Sequence, residues 1–204
     1  VIALLALGSA RAYGEPVEWS AGFGVDKLPK DVALGGSVDP EQRPQTGPLL
    51  GGRLTWMPLA SHWISAGLDG ELSLTTSWTG YGFTSRRQSY FAPVLGYRAA
   101  AIVRLFPTCS IEPHLLGGGG GASTASYSPY MDTDTAGVYF WGAGVTLRVG
   151  TWNLRADAQQ VWLPATSGDR TAAYEIQIGL GGTFGPAPAP APVAAPAPVP
   201  APVP

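Results

Sequence analysis

The chain has 204 residues, enough for one domain with short appendages. Charged residues make up 13% of it and the formal net charge is −2, whereas a soluble domain usually carries about 25% charged residues. The net charge argues against a nucleic-acid-binding surface. The single cysteine, Cys109, excludes an internal disulfide framework. The shortage of charge is therefore the property that a predicted fold has to explain.

Residues 1–12 resemble the end of a secretory signal peptide. Residues 2–7 form a short apolar run, and Ala10-Arg11-Ala12 has the A-x-A pattern of a cleavage site. The run is too short to cross a membrane as a helix, and the alternative interpretation is a short buried strand or helix. No later stretch approaches the ~18 consecutive apolar residues that indicate a transmembrane helix.

The stretch at 63–74, WISAGLDGELSL, has a two-residue period. Leu68 and Leu72 fall on one side of it, and Asp69 and Glu71 fall on the other. Because successive side chains of a β-strand point to opposite faces, this pattern predicts a strand with one apolar and one polar face. Similar stretches recur along the chain, with lengths near the ~9–11 residues that a tilted strand needs to cross a bilayer.

This alternation predicts eight strands. They cover residues 17–25, 47–57, 63–74, 89–106, 111–122, 137–149, 152–162 and 172–184. Long polar loops are predicted at 26–46, 76–88, 123–136 and 163–171, and tight turns at 58–61, 107–110 and 150–151. Pro93 would interrupt a regular sheet, so we expect it near the long-loop end of its strand, beyond regular pairing.

The connections alternate between long and short, which predicts an all-β fold: an eight-stranded antiparallel up-and-down transmembrane β-barrel. Bacterial outer-membrane barrels have short periplasmic turns and longer extracellular loops. Four long loops and three short turns place both ends of the barrel chain on the short-turn side. We therefore expect the outer membrane of a Gram-negative bacterium, with the N- and C-terminal ends in the periplasm.

The charged residues of the strands predict which face points inward, because all of them fall on the polar face. They are Glu18, Arg53, Asp69, Glu71, Arg98, Arg104, Glu112, Arg148, Arg155, Asp157 and Glu175. A soluble eight-stranded ligand-binding barrel, the main alternative, would turn its apolar face inward and carry a densely charged outer surface. Five arginines against six acids instead suit a filled interior with paired charges. The apolar face would then meet lipid.

Aromatic residues near the strand ends predict the girdles that form where a barrel meets the membrane–water interfaces. These interfacial residues are Trp19, Trp56, Trp63, Tyr139, Trp152, Tyr174 and Phe184. A closed barrel also satisfies every backbone hydrogen bond within lipid, which an open sheet cannot do.

Residues 15–204 resemble the outer-membrane protein A family. The resemblance rests on the eight two-faced strands, on the segment YEIQIGLGGTF at 174–184, and on the Pro/Ala-rich stretch at 186–204. The segment at 174–184 is similar to the outer-membrane insertion signal, and this implies recognition by the outer-membrane assembly machinery. We expect a barrel domain over 13–185 and a semi-rigid polyproline II linker over 186–204. The alternative for the linker is a disordered tail without a partner.

In that family the linker leads to a periplasmic domain that binds peptidoglycan. The resemblance therefore implies a structural protein that anchors the envelope, with outer-membrane lipid and lipopolysaccharide as partners and peptidoglycan reached through a downstream domain. Two alternative functions stay open. A small surface adhesin would use the long loops, where Trp78, Tyr81, Tyr127 and Tyr130 are candidate contacts. A narrow channel would need room that eight strands do not leave.

The residue pattern argues against an enzyme and predicts no cofactor or metal site. Deacylases among the small outer-membrane barrels use a Ser-His pair near the outer rim. The only two histidines here, His62 and His114, fall in a turn and on the inward face, both toward the periplasmic side. Two distant histidines also make no metal cluster.

Two further motifs have a structural interpretation. Asp69 and Glu71 share a strand face and could act as an acid/base pair, but in a packed lumen they fit better as ion-pair partners of arginines such as Arg53 or Arg98. The five glycines at 117–121 lack the lysine and the helix of a phosphate-binding loop, and glycines in a strand more often allow close packing.

Overall fold

The computed structural model describes residues 17–35, 46–81, 88–125 and 133–184. These form eight strands that close into one antiparallel barrel, in which each strand pairs with its neighbours in the sequence. The strands are β1 (Val17–Lys27), β2 (Gly47–Ala60), β3 (Ile64–Tyr81), β4 (Gln88–Leu105), β5 (Ile111–Thr124), β6 (Asp134–Val149), β7 (Trp152–Pro164) and β8 (Arg170–Phe184). The predicted eight-stranded up-and-down barrel is confirmed.

Pairing of the first strand with the last closes the barrel. The ladder between β1 and β8 runs from Val17 opposite Phe184 to Lys27 opposite Tyr174. Because the sheet has no free edge, its backbone donors and acceptors pair within the wall. Within the described residues, no helix is long and apolar enough to cross a membrane.

Side chains alternate across the wall as the two-residue period predicts. In β3, Leu68 is 57% exposed on the outside, whereas the next residue, Asp69, is 3% exposed in the lumen. Around the barrel, the large side chains exposed between its two ends are apolar, and the strand charges predicted to face inward lie inside. The interior also contains buried apolar side chains, among them Ile102, Leu116 and Phe140. The apolar residues most exposed on the outer face include Phe23, Leu50, Leu54, Leu72, Leu115, Trp141, Ile176 and Leu180.

Several strands extend further than the sequence predicts. β3 and β4 stay paired up to Tyr81 opposite Gln88, so the long loop predicted at 76–88 is wrong for residues 76–81 and 88, while 82–87 lie outside the described residues. Trp78 and Tyr81 therefore belong to a strand rather than to a loop. The hydrophobic pattern does not indicate this part of the strand, because it contains polar and small residues such as Thr76 and Gly80. The backbone hydrogen-bond ladder nevertheless continues through them.

Two prolines depart from their predicted positions. The turn predicted at 58–61 lies instead at 61–63, where the Ser61 amide donates to the Ile64 carbonyl. Pro58 belongs to β2, at a register shift between Trp56 and Leu59, and such an irregularity tolerates a residue without an N–H. Pro93 is paired with Thr76 of β3, although we predicted that it lies beyond regular pairing. It is tolerated because the ladder with β5 begins only at the next residue, Val94.

The segment after β1 folds back over one end of the barrel. Residues 28–35 fall in the predicted polar loop 26–46, yet Leu28, Val32 and Leu34 are at most 7% exposed. The predicted signal peptide at 1–12, the linker at 186–204, and Tyr127 and Tyr130 lie outside the described residues. We name the barrel end at Lys27 the loop end and the opposite end, with the three tight turns, the turn end.

Candidate functional site in the barrel interior

The lumen contains the charged side chains that the sequence assigns to the interior. Among them only Arg148 has substantial exposure, with its side chain 33% accessible at the turn end. The structure adds Asp26, which we assigned to a loop and which lies in β1 at 3% exposure. The interior therefore contains the carboxylates of Glu18, Asp26, Asp69, Glu71, Glu112, Asp157 and Glu175.

At the turn end, two arginines and two glutamates from four strands form a closed cluster. Arg104 donates to both carboxylate oxygens of Glu18, at 2.9 and 2.6 Å. Arg148 donates to Glu18 at 2.6 Å and through Nε to Glu112 at 2.5 Å. Arg104 also lies 3.5 Å from Glu112. Each carboxylate thus contacts two guanidinium groups, the pairing that buried charges require.

In the middle of the lumen, Asp69 of β3 joins two arginines from distant strands. Arg53 of β2 donates to Asp69 at 3.0 Å, and Arg155 of β7 donates to both of its oxygens at 3.1 and 3.2 Å. The Thr55 hydroxyl donates to the same carboxylate at 2.5 Å. Arg155 also pairs with Asp157 at 2.8 Å. Asp69 therefore connects opposite walls of the barrel.

Nearer the loop end, a third group of ion pairs crosses the lumen. Arg98 of β4 makes a two-pronged contact with the carboxylate of Glu175 on β8, and its guanidinium lies 5.5 Å from the centroid of the Phe140 ring. Glu71 pairs with Arg53 at 2.9 Å and accepts a hydrogen bond from Gln177 at 2.6 Å. Because Arg53 contacts both Asp69 and Glu71, this group is continuous with the middle one.

We call these contacts the ion-pair lattice. It comprises Glu18, Arg53, Asp69, Glu71, Arg98, Arg104, Glu112, Arg148, Arg155, Asp157 and Glu175. Asp26 stands apart, since it accepts a hydrogen bond from Thr75 at 3.1 Å but forms no ion pair with a described residue. The described lumen holds seven carboxylates against five guanidinium groups, and Asp26 contributes to this excess.

A second interior feature, the apolar stopper, closes the lumen at the loop end. It consists of Leu28, Val32 and Leu34 packed with Val161 and Leu163 of β7. Its connecting segment is held by backbone hydrogen bonds, from the Ala33 amide to the Pro164 carbonyl at 2.8 Å and from Thr166 to Asp31 at 2.9 Å. Val32 also forms an isolated bridge with Ala165. Hydrophobic periodicity does not predict the stopper. Its three apolar residues are irregularly spaced among polar ones, a pattern that is typical of a loop.

The described lumen retains only small spaces, within the lattice and between the lattice and the stopper. Three interior spaces measure ≈10 Å³ each, about the volume that one water molecule needs. One of them is lined by Asp26, Thr75 and Glu175 below and by Leu28 and Leu163 above. The described interior is therefore filled by side chains and leaves no room for a drug-sized ligand.

The histidines do not form a catalytic arrangement with the described residues. His114 points into the lumen, with Nε2 2.7 Å from Asp157 and 2% exposure, so no substrate in lipid or water can reach it without opening the barrel. His62 is exposed at the turn end and packs its ring edge against Trp63 at 5.2 Å. No group of three or more potential metal-ligating residues occurs in the described part of the chain.

The glycines at 117–121 serve close packing. A side-chain carbon added at Gly118 or Gly120 would collide with the backbone carbonyl of Ala99 or Tyr97 on the neighbouring strand. Gly119 faces outward, and a side-chain carbon added there would lie 3.2 Å from the Val138 carbonyl oxygen, a tight contact rather than a collision. The two inward-facing positions therefore need glycine because β4 and β5 approach closely there.

Most of the predicted interfacial aromatics lie on the outer face at the two ends of the barrel. Trp63, Trp152 and Phe184 are exposed at the turn end, where Trp19 packs on Phe184 at 6.1 Å. Tyr139 and Tyr174 are exposed toward the loop end. Trp56, 49% exposed, lies in β2 just before its register shift.

No protein-family model matches the chain, and no curated protein matches it in sequence. Among solved structures, the chain is similar to the neisserial surface protein A, with a TM-score of 0.53 and 11% identity over 84% of this chain and 97% of that one. The N-terminal β-barrel domain of OprF from Pseudomonas aeruginosa has a TM-score of 0.49 and 13% identity, covering 84% and 99%. The attachment invasion locus protein Ail of Yersinia pestis has a TM-score of 0.49 and 15% identity, covering 83% and 99%. At such low identity, the similarity to the neisserial protein shows the fold alone: a small eight-stranded barrel.

Proposed function

We propose that this protein is a structural barrel of a Gram-negative outer membrane, with its outer face in contact with lipid. The observation that carries the proposal is the distribution of charge across the wall. Within the described strands, every charged side chain points into the lumen or its mouth, except Lys27 and Arg170 at the loop end. Between the two rims the outer face is apolar.

The energetics of this inversion support a lipid environment. Each large apolar side chain gains ~1.5–3 kcal/mol when it is removed from water, and the outer face exposes residues such as Leu68 at 57%, Leu72 at 63% and Ile176 at 63%. A continuous apolar belt of this kind would aggregate in water. Lipid removes that cost, and the strands of 11 to 18 residues exceed the ~9–11 residues needed to cross a bilayer.

The soluble ligand-binding alternative requires the opposite arrangement. Such a barrel needs an apolar cavity inside and a charged surface outside. Here the lumen holds the ion-pair lattice and spaces of ≈10 Å³, so the described interior offers no room for a ligand.

A matched pair of variants at Leu68 tests the proposal. The barrel is refolded into lipid vesicles, and folding is measured by the faster migration of unboiled samples on an SDS gel. Leu68→Arg places a charge at mid-wall and should cost ~2–4 kcal/mol in lipid, whereas Leu68→Phe should be tolerated. If unheated and boiled wild type migrate alike, or if Phe disturbs folding as much as Arg, the outer face does not meet lipid and the proposal fails.

Cys109 tests the proposed orientation, in which the tight turns face the periplasm. It is exposed in the turn between β4 and β5. A membrane-impermeant maleimide should leave it unlabelled in intact cells and label it after permeabilisation. Labelling of intact cells would place the turn end outside.

We further propose that the barrel anchors the envelope. Residues 186–204 would act as a polyproline II spacer of at most ~60 Å toward a peptidoglycan-binding domain in the natural protein, and residues 174–184 would be recognised by the assembly machinery. This proposal rests on the resemblance in sequence. Co-sedimentation of the natural full-length protein with purified peptidoglycan sacculi tests it, with the isolated barrel as the control; equal recovery of both would remove the anchoring role.

A further inference from the structure

The outer face is almost free of charge, which makes its two cationic positions informative. Among the described strands, only Lys27 of β1 and Arg170 of β8 direct a charged side chain outward, and no carboxylate does so. Both lie at the loop end and on neighbouring strands. At the turn end, the described strands place no lysine, arginine, aspartate or glutamate on the outer face.

Arg170 is held by aromatic residues rather than by an acid. Its guanidinium lies 4.6 Å from the centroid of the Tyr139 ring, and Tyr139 stacks on Trp162 at 6.0 Å. Two long hydrogen bonds, to the carbonyls of Gly137 at 3.3 Å and Trp162 at 3.4 Å, use only Nη1. The side chain is thus fixed on the rim while the Nε and Nη2 donors remain unused by the described residues.

Lys27 belongs to the same rim. It stands opposite Tyr174 of β8, and the Tyr174 hydroxyl accepts a hydrogen bond from Gln160 of β7 at 3.1 Å. Arg170 lies four residues further along β8, which is ~13 Å at the rise of a strand. The Lys27 side chain is exposed and makes no hydrogen bond or ion pair with the described residues, so its ammonium group is available.

The acidic residues nearby do not neutralise these cations through any contact seen among the described residues. Asp31 accepts a hydrogen bond from the Thr171 hydroxyl at 2.8 Å and so lies over the mouth of the barrel. Asp169 precedes Arg170 in the β7–β8 turn and is exposed, but it forms no ion pair with Arg170. We call the group of Lys27, Arg170, Tyr139, Trp162 and Tyr174 the cationic rim.

We propose that the cationic rim binds a diphosphorylated anionic lipid of the leaflet that faces the loops, with Arg170 at one phosphate and Lys27 at the other. The inference rests on the proposed function, since it needs the outer face in lipid. Aromatic rings at an interface hold the apolar part of a lipid near the wall, and cations beside them meet its headgroup. A guanidinium presents paired donors to phosphate, and an ammonium adds a second point charge.

The test compares two ligands and charge-matched variants. Lipid A, a diphosphorylated glycolipid, and its dephosphorylated form are added to the folded barrel in zwitterionic detergent, and retained lipid is measured by native mass spectrometry. At ~1 kcal/mol per cation near an anionic surface, Lys27→Gln and Arg170→Gln should each weaken retention of lipid A roughly fivefold, and the double variant ~25-fold. Lys30→Gln, which removes one charge from the segment over the mouth, should change it little.

Several results would overturn the inference. Equal retention of the two lipids, or equal loss in Lys30→Gln and Arg170→Gln, would mean that no phosphate is recognised at the rim. Displacement of the lipid by inorganic phosphate alone would show a site for the free anion. Heat-modifiable migration of every variant in vesicles separates these outcomes from failure of the proposed function, because loss of folding in lipid would appear in the wild type as well.

Discussion

The lumen of this barrel is filled in two different ways along its length. From the turn end to beyond the middle, the ion-pair lattice joins side chains of all eight strands, as in Glu18 with Arg104 and Asp69 with Arg155. At the loop end, the apolar stopper places Leu28, Val32 and Leu34 of a connecting segment over the lattice. The lattice is part of the wall, whereas the stopper rests on it.

The two regions should respond differently to damage. Removing one member of the lattice leaves a buried charge without its partner, and the barrel cannot move that charge to water without opening the wall. Removing an apolar contact from the stopper lets residues 28–35 detach while every strand pair stays intact. The lattice therefore stabilises the whole barrel, and the stopper is a unit that can open locally.

The largest effect is expected at Asp69. Asp69→Leu leaves Arg53 and Arg155 without the carboxylate that they share, which should cost ~3–5 kcal/mol. The measurement is urea unfolding of the refolded barrel in lipid vesicles. Leu68→Phe on the neighbouring outward position is the control and should unfold like the wild type. A neutral Asp69→Leu together with a strongly destabilised Leu68→Phe would mean that the apolar face is the interior.

Strand periodicity is sufficient to predict the wall of the barrel. Successive side chains of a strand point to opposite faces. The position of Arg53, Asp69 or Arg155 in the alternation of its own strand therefore decides which face it occupies. The same argument places Leu68 and Ile176 outside. What could be predicted in this way is the number of strands, their order and the inward or outward direction of a side chain.

Contacts across the lumen could not be predicted in this way. Of the two partners predicted for Asp69, Arg53 on the adjacent strand does pair with it, whereas Arg98 pairs with Glu175, 77 residues away. The second partner of Asp69 is Arg155 from the opposite wall, which the sequence does not indicate. Strand tilt and stagger determine which inward residues face each other, and alternation carries no information about either. The stopper was missed because Leu28, Val32 and Leu34 are buried by tertiary position rather than by a local period.

The next prediction compares two buried carboxylates of the lumen, one that belongs to the ion-pair lattice and one that does not. Glu175→Gln deprives Arg98 of its charged partner and should cost ~1.5–3 kcal/mol, the value of hydrogen bonds to charged groups. Asp26→Asn removes a carboxylate that pairs with no described cation and keeps an acceptor for Thr75, so the free energy of unfolding should be unchanged or higher. Urea unfolding in vesicles measures both. Equal losses would show that Asp26 is paired in the folded barrel.

A smaller global effect is expected in the stopper. Leu34 is 1% exposed, and in a rigid core Leu→Ala would cost ~2–5 kcal/mol. Because residues 28–35 can detach, Leu34→Ala should lower the free energy of global unfolding by less than about 1 kcal/mol. Hydrogen exchange should instead accelerate at the Ala33 amide, which donates to Pro164. Exchange that is unchanged there while the urea midpoint falls sharply would make the stopper part of the wall.

The smallest expected effect concerns conduction, and it separates the two regions most directly. If the stopper alone blocked the lumen, the double variant Leu28→Ala, Leu34→Ala would open a channel. The lattice lies beneath it, however, and the spaces within it are ≈10 Å³, about one water molecule each. The wild type and the double variant should therefore both show little steady current in planar bilayers. Stable, porin-like steps in the double variant only would mean that the stopper is the gate and that the lattice admits ions.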